Sequence, residues 1–309
     1  MIPDPGAAPS DDRSGPGRRR LVPFNVALVM PAQITMLLVV AAPTLIVIWL
    51  SLTDWQPTQR IPWYQGEFIW FWNFYDLWFD ERFVKAVLRT ILVAVVCVSV
   101  QLVLAVALAL LLLEQWPWRK LAVSALVLPM MIVPVDAANA FFMLFNDRGP
   151  VNHVIGLVIG RPFEFGWLAD PNFALVPIVL AEIWQWTPFM LLLVLAGFLN
   201  IPRNQWRAAL ALGASPVRAF FRIVLPLSAP VILVAVLIRA IEALKIFDVV
   251  YILTRGGPGT STESISMFMY NGAFVYFRMG YIAAAALLVL IVVSSVCLAL
   301  AKPLRQRRG

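Results

Sequence analysis

The side chains able to do chemistry in this sequence are few and unusually placed. Among 309 residues there is one histidine, His153, and two cysteines, Cys97 and Cys297. A histidine-centred triad or histidine metal site has too few members to form. Both cysteines fall in apolar runs, where a thiol acts as a small buried hydrophobe rather than half of a disulfide. No G-x-x-x-x-G-K-[ST] segment exists to cradle nucleotide phosphates. What remains is a set of charges inside long apolar stretches: Asp136, Glu182, Arg239, Glu242, Lys245 and Asp248. A lipid-facing charge costs roughly 2.5–3.5 kcal/mol at a helix centre on insertion scales, so these groups should face one another or an aqueous path. Spacing of three lines up Arg239, Glu242 and Lys245 on one helix side and predicts an acid–base ladder. Structural pairing between helices, without contact to any solute, is the alternative reading.

A second cluster, Glu182-Ile183-Trp184-Gln185-Trp186-Thr187-Pro188-Phe189, places Glu182, Gln185 and Trp186 three or four residues apart on one face. A carboxylate, an amide and an indole together can bind a polyhydroxylated solute by hydrogen bonds and ring stacking. They can equally pack against a partner subunit, and both readings stand.

The elements that carry these groups are set by composition. The chain is 61% hydrophobic and 13% charged, about half the charged fraction usual for a soluble protein. Apolar runs of the roughly 20 residues a bilayer demands lie at 22–50, 90–113, 121–145, 173–198, 227–251 and 279–300. Hydrocarbon offers exposed backbone no partner, so each is expected to be helical, giving an all-α, six-span integral membrane bundle. Pro31, Pro43, Pro129, Pro134, Pro177 and Pro188 lie within those runs and predict bends. Residues 1–20 read as a disordered cytoplasmic tail without the apolar core of a signal peptide, 21–301 as the six-helix transmembrane domain, including the loop at 200–225, and 302–309 as a basic cytoplasmic tail.

The net charge of +7 does not indicate nucleic acid, because the basic residues sit in short patches between spans. Arg13, Arg18, Arg19, Arg20, Arg119, Lys120, Arg203, Arg207, Arg218, Arg222, Lys302, Arg305, Arg307 and Arg308 are 14 of the 24 and fall on one side. By the positive-inside rule both termini are expected in the cytoplasm. Trp55, Trp63, Trp70 and Trp72 on the other side suit an interfacial belt.

One cytoplasmic segment, 200–225, is more than a connector. Ile201-Pro202 ends a helix, 205–212 reads as a short helix, Gly213 interrupts it, and Ser215-Pro216 restarts a turn as cap and first-turn proline. Ala208, Ala209, Ala211 and Ala214 form a small-residue patch suited to close docking. An interfacial helix whose arginines hold anionic headgroups is the alternative.

These residues resemble the permease subunits of binding-protein-dependent ABC importers, in the carbohydrate branch that includes the larger maltose permease subunit. The family's cytoplasmic signature is E-A-A, three residues, G, then about nine residues before an isoleucine–proline segment. It stands here as Arg207-Ala208-Ala209-Leu210-Ala211-Leu212-Gly213-Ala214, followed by Ile223-Val224-Leu225-Pro226 and Pro230. Further likeness lies in Ser51–Trp55, Trp184–Phe189, Phe247-Asp248, Leu253–Gly259 and Gly280-Tyr281 with Ala283-Ala284. The resemblance implies a type I importer bundle in a bacterial or archaeal plasma membrane. It also implies a second permease subunit, two ATPase subunits carrying ATP and Mg, and an extracytoplasmic solute-binding protein. This chain would hold no cofactor or metal and catalyse nothing. The coupling loop would be Arg207, Ala208, Ala209, Leu212, Gly213, Ala214 and Pro216. Candidates along the solute path are Glu182, Gln185, Trp186, Arg239, Glu242 and Ala243, and Gly256, Gly257 and Pro258 are candidates for the binding-protein contact. Two departures stand out: Arg207 replaces the usual opening glutamate, and Leu212 the usual aspartate before the glycine. An ion-gradient-driven secondary carrier, using Asp136, Glu182 and Glu242, is the rival reading.

Overall fold

A computed structural model describes residues 24–114 and 116–306, without the side chains at 24–27, 203, 206, 207, 296, 297 and 299–306. The expected tail at 1–20, the side chains of Arg207 and Cys297, and the basic side chains of 302–309 therefore lie outside the described residues. Among the described residues the chain is helical, with one isolated antiparallel bridge, Thr53 to Phe68. It divides into two units, Met1–Ile46 and Val47–Gly309.

The first unit holds most of helix α1, Phe24–Ser51. Its apolar side chains, such as Met36, Leu37 and Val39, are exposed, as a lipid-facing helix requires. Thr35 and Thr44 return their hydroxyls to the carbonyls of Pro31 and Val40 at 2.9 and 2.7 Å, so neither carries an unpaired donor into hydrocarbon.

The second unit opens with α2, Trp72–Phe79, and α3, Glu81–Leu113. Asp80 caps α3 by accepting from the Arg82 and Phe83 amides at 2.8 and 3.2 Å. Next come α4, Arg119–Met131, α5, Pro134–Leu144, and α6, Pro150–Ile159, then α7, Leu175–Leu199. Two short helices, α8 (Arg203–Ala211) and α9 (Pro216–Ala219), lead through a π turn at Phe220–Val224 into α10, Leu225–Leu244. The chain ends with α11 (Asp248–Leu253), α12 (Ile265–Tyr270) and α13 (Met279–Gln306).

The core forms where α3 meets α7, the most extensive helix pair. Ala94, Val98, Ala105 and Ala109 of α3 share one cluster with Met190, Leu191, Val194 and Phe198 of α7. Small side chains four residues apart let two backbones approach in lipid, where burial of apolar area gives no net drive.

Among the described residues four stretches are long and apolar enough to cross a membrane: Leu28–Ser51, Glu81–Leu113, Leu175–Leu199 and Pro216–Leu253. A fifth arises if α4 and α5 count as one span. The protein is thus an all-α, multi-pass membrane fold with four to five spans established by length and composition. Residues 121–145, expected as one helix, are instead two helices meeting at a 94° bend. Pro134 lacks an amide hydrogen and drives Val133 to extended backbone (φ −61°, ψ 136°), which ends α4 before α5 begins. The bend also relocates Asp136. It sits exposed in the first turn of α5, where the helix dipole favours an acid, rather than within a continuous span.

Candidate functional site

The deepest polar group joins three helices. Glu182 of α7 and Arg239 of α10 form a buried ion pair, with Arg239 1% and Glu182 6% exposed. Arg239 Nε also donates to Gln101 Oε1 of α3 at 2.9 Å, and Gln101 Nε2 donates to the Glu182 carbonyl at 2.8 Å. Gln101 is fully buried. The Trp186 ring, half-buried, lies with its centroid 5.1 Å from the Arg239 guanidinium carbon, completing a cation–π contact. Every partner comes from another helix, so the charge that lipid would reject is neutralised inside the bundle.

This corrects the expected ladder along α10. Glu242 does pair with Lys245, at 2.8 Å and exposed, but Arg239 turns away to Glu182 and Gln101. The local spacing is open to both bases, but only Lys245 uses it, since Arg239 takes Glu182 and Gln101 inside the bundle. Ala243 is buried in the core cluster.

Gln185, 2% exposed, faces the break between α4 and α5. Its Nε2 donates to the Ile132 carbonyl at 2.9 Å, an acceptor the bend leaves without a helical partner. Its Oε1 is buried without a partner. Glu182, Gln185 and Trp186, expected to share one face, have three different tasks: ion pair, bend support and guanidinium cover.

The loop at 200–225 has the helix–glycine–helix plan expected of it. Gly213 has φ +82°, its amide donates to Leu210 O at 3.0 Å, and the Ala214 amide donates to Ala209 O at 3.0 Å. Those two bonds are the Schellman closure of α8, which needs a left-handed residue where Gly213 stands. Ser215 caps the next turn, accepting from the Arg218 amide at 3.3 Å, with Pro216 at the first helical position. Leu212 is 89% exposed. Ala208 is exposed, and Ala209 and Ala214 are half-buried.

At the far end, Gly256, Gly257 and Pro258 form a turn with Gly256 at φ +86°. Gly256 is buried beside Met267 and Glu263, whereas Gly257 and Pro258 are partly exposed. Thr262 fastens the turn by donating to Gly257 O at 2.8 Å.

Several anchoring residues escaped sequence reasoning. Besides Gln101, these are Arg82 and Glu263, joined by two bonds of 2.8 and 2.7 Å, and Asn271 and Arg89, which donate to the Glu263 side chain and carbonyl. Tyr281 donates to Asp80 at 2.5 Å. Arg82 and Glu263 are 181 residues apart, so no local pattern marks them. Gln101 had a readable signal, as a lone amide inside the run at 90–113. Among the described residues no group of three or more His, Cys, Asp or Glu is placed to hold a metal ion.

Residues 78–308 match the family described as the inner membrane component of binding-protein-dependent transport systems. The chain belongs to this family. Its relatives include the sulfoquinovosyl glycerol transport system permease protein SmoG of Agrobacterium fabrum, 34% identical, over 88% of this chain and 86% of that one. Another is the trehalose/maltose transport system permease protein MalF of Thermococcus litoralis, 31% identical over 82% and 83%. In fold it is similar to a chain of a bacterial ABC transporter that imports the acidic polysaccharide alginate. That likeness has a TM-score of 0.78 at 22% identity, covering 92% of this chain and 95% of the other. The family member described here is a multi-pass inner-membrane permease subunit, not an enzyme. Membership implies a multi-subunit ABC importer with ATPase subunits and a solute-binding protein.

Proposed function

We propose that this permease forms half of the path by which a carbohydrate or related polyhydroxylated solute enters the cell, six helices crossing the membrane with both termini inside. The observation that carries the solute class is the agreement among relatives over more than four fifths of the chain: SmoG is named for a sugar glycerol conjugate and MalF for trehalose and maltose. The complex contains a second, non-identical permease subunit, two cytoplasmic ATPase subunits that hold ATP and Mg, and an extracytoplasmic binding protein. Closure of the ATPase pair moves the coupling loop around Gly213 and opens the bundle outward; hydrolysis returns it inward. ATP and the loaded binding protein bias one two-state equilibrium.

Along the path, Trp186 offers its partly exposed indole as the stacking surface for a sugar ring. Glu182 and Arg239 hold that surface in place, and Gln185 supports the bend beside it. Glu242 and Ala243 lie farther along α10. Gly257 and Pro258 are the exposed part of the turn that meets the binding protein, shaped from below by buried Gly256.

The complex, reconstituted in liposomes with its binding protein, should accumulate solute only with ATP and should keep doing so when ion gradients are collapsed. Uptake that follows the gradient and ignores ATP would favour the secondary carrier. Trp186→Ala should lower solute-stimulated ATPase activity several-fold while the complex still assembles; unchanged stimulation would remove Trp186 from the path.

A further inference from the structure

We infer that Leu212 is an apolar knob that seats the coupling loop in an apolar pocket of its ATPase, where the family pattern offers a charge. The inference rests on the importer reading above. Leu212 is the most exposed large apolar side chain among the described residues, at 89%. It does not stand on a lipid-facing span but at the C-cap of α8, one residue before the left-handed Gly213. A Cβ built on Gly213 meets nothing within 4 Å, so space is open on that side of the turn.

A leucine so exposed loses free energy in water and gains it when covered. The loop's rigidity makes it a usable knob. The paired Leu210 and Ala209 closures fix the C-cap backbone, so docking orders little further chain. The surroundings state the chemistry of the cover. Arg218 and Arg222, both exposed, follow in the next turns. The matching surface is therefore an apolar pocket rimmed by carboxylates on the cytoplasmic ATPase subunit. A bilayer is the weaker occupant, because interfacial insertion needs a continuous apolar helix face. On α8 the residues three and four before Leu212 are Ala209 and Ala208, and the exposed apolar side chains Val217 and Phe221 lie beyond the break at Gly213, so Leu212 belongs to no continuous apolar helix face.

The test uses the whole transporter. Leu212→Ala should weaken ATPase association roughly tenfold, the low end of what covering a leucine is worth, and lower solute-stimulated ATP hydrolysis. Leu212→Met, close in volume, should restore both. Wild-type association should survive roughly 0.5 M salt, where exposed charge pairs are screened, and Leu212→Asp should lose it. Normal association of Leu212→Ala, or steep salt loss by the wild type, overturns the knob. So does a Leu212 effect that appears in anionic nanodiscs but not in detergent, which would assign the side chain to lipid. These outcomes leave ATP-driven uptake by the wild type intact. Loss of that uptake would instead strike the importer reading itself.

Discussion

The behaviour of Glu182 is decided by where Arg239 points. With 1% of Arg239 exposed, neither charge can be solvated by water, so each depends on the other and on Gln101. Glu182→Gln alone should therefore destabilise the bundle by about 3–5 kcal/mol, because it strands a buried guanidinium. The double variant Glu182→Gln/Arg239→Met should recover most of that loss, as a neutral pair needs no partner. Thermal unfolding in detergent, read as a double-mutant cycle, checks both steps. Additive losses would show that the two side chains act separately. The same geometry explains what the residue pattern disclosed. That Arg239 and Glu182 must face another charge or an aqueous path was legible, because hydrocarbon tolerates no lone charge. Which partner Arg239 takes was not: spacing along one helix names Glu242, whereas the true partners are 57 and 138 residues away. Only the packing of α3, α7 and α10 brings those residues together.

Elements meet where glycine removes a side chain. Gly280, at the start of α13, is buried, and its amide donates to Trp55 O at 3.1 Å. A Cβ there would lie 2.1 Å from the Thr53 carbonyl oxygen, which is backbone and cannot swing aside. Gly280→Ala should push α13 away from the Ser51–Trp55 segment and lower the unfolding temperature measurably, whereas Gly160→Ala, with open space around it but φ +75°, should cost only about 1–2 kcal/mol. Equal effects would mean that close approach is not what Gly280 provides. Gly213 is governed by conformation alone, so Gly213→Asn, which tolerates the left-handed region, should keep ATPase coupling. Gly213→Leu should lose it, as judged by co-purification of the ATPase and by transport. The helix–glycine–helix plan was readable because caps and left-handed turns leave local signatures. The bend at Ile132–Val133 was half readable: Pro134 marked the place, but a proline inside an apolar run is as compatible with a shallow kink as with 94°.

At the scale of the molecule, that bend controls how many times the chain crosses the membrane. A helix rises about 1.5 Å per residue, so neither the 13 residues of α4 nor the 11 of α5 can traverse roughly 30 Å of hydrocarbon alone. Either the two halves cross together, or they enter and leave by the same face. The proposed topology requires crossing: Arg119 and Lys120 open α4 on the side proposed to be cytoplasmic, and the segment after α5, where Arg148 and Arg161 are offset by Asp147, Glu164 and Asp170, then lies on the other. Gln185 supplies the Ile132 carbonyl with a donor at the corner, which lets non-helical backbone persist at membrane depth. On a background with Cys97 and Cys297 replaced by alanine, single cysteines at Trp118 and Val158 separate the two cases. Both native positions are exposed, at 67% and 83%. A membrane-impermeant thiol reagent should label Val158→Cys in intact cells and Trp118→Cys only after permeabilisation. Labelling of both from the same side would make α4 and α5 a re-entrant pair and remove one crossing from the proposed six. The loop around Gly213, proposed to be cytoplasmic, would then face a different compartment from residues 119 and 120, which an importer driven from the cytoplasm does not allow unless another segment crosses in compensation.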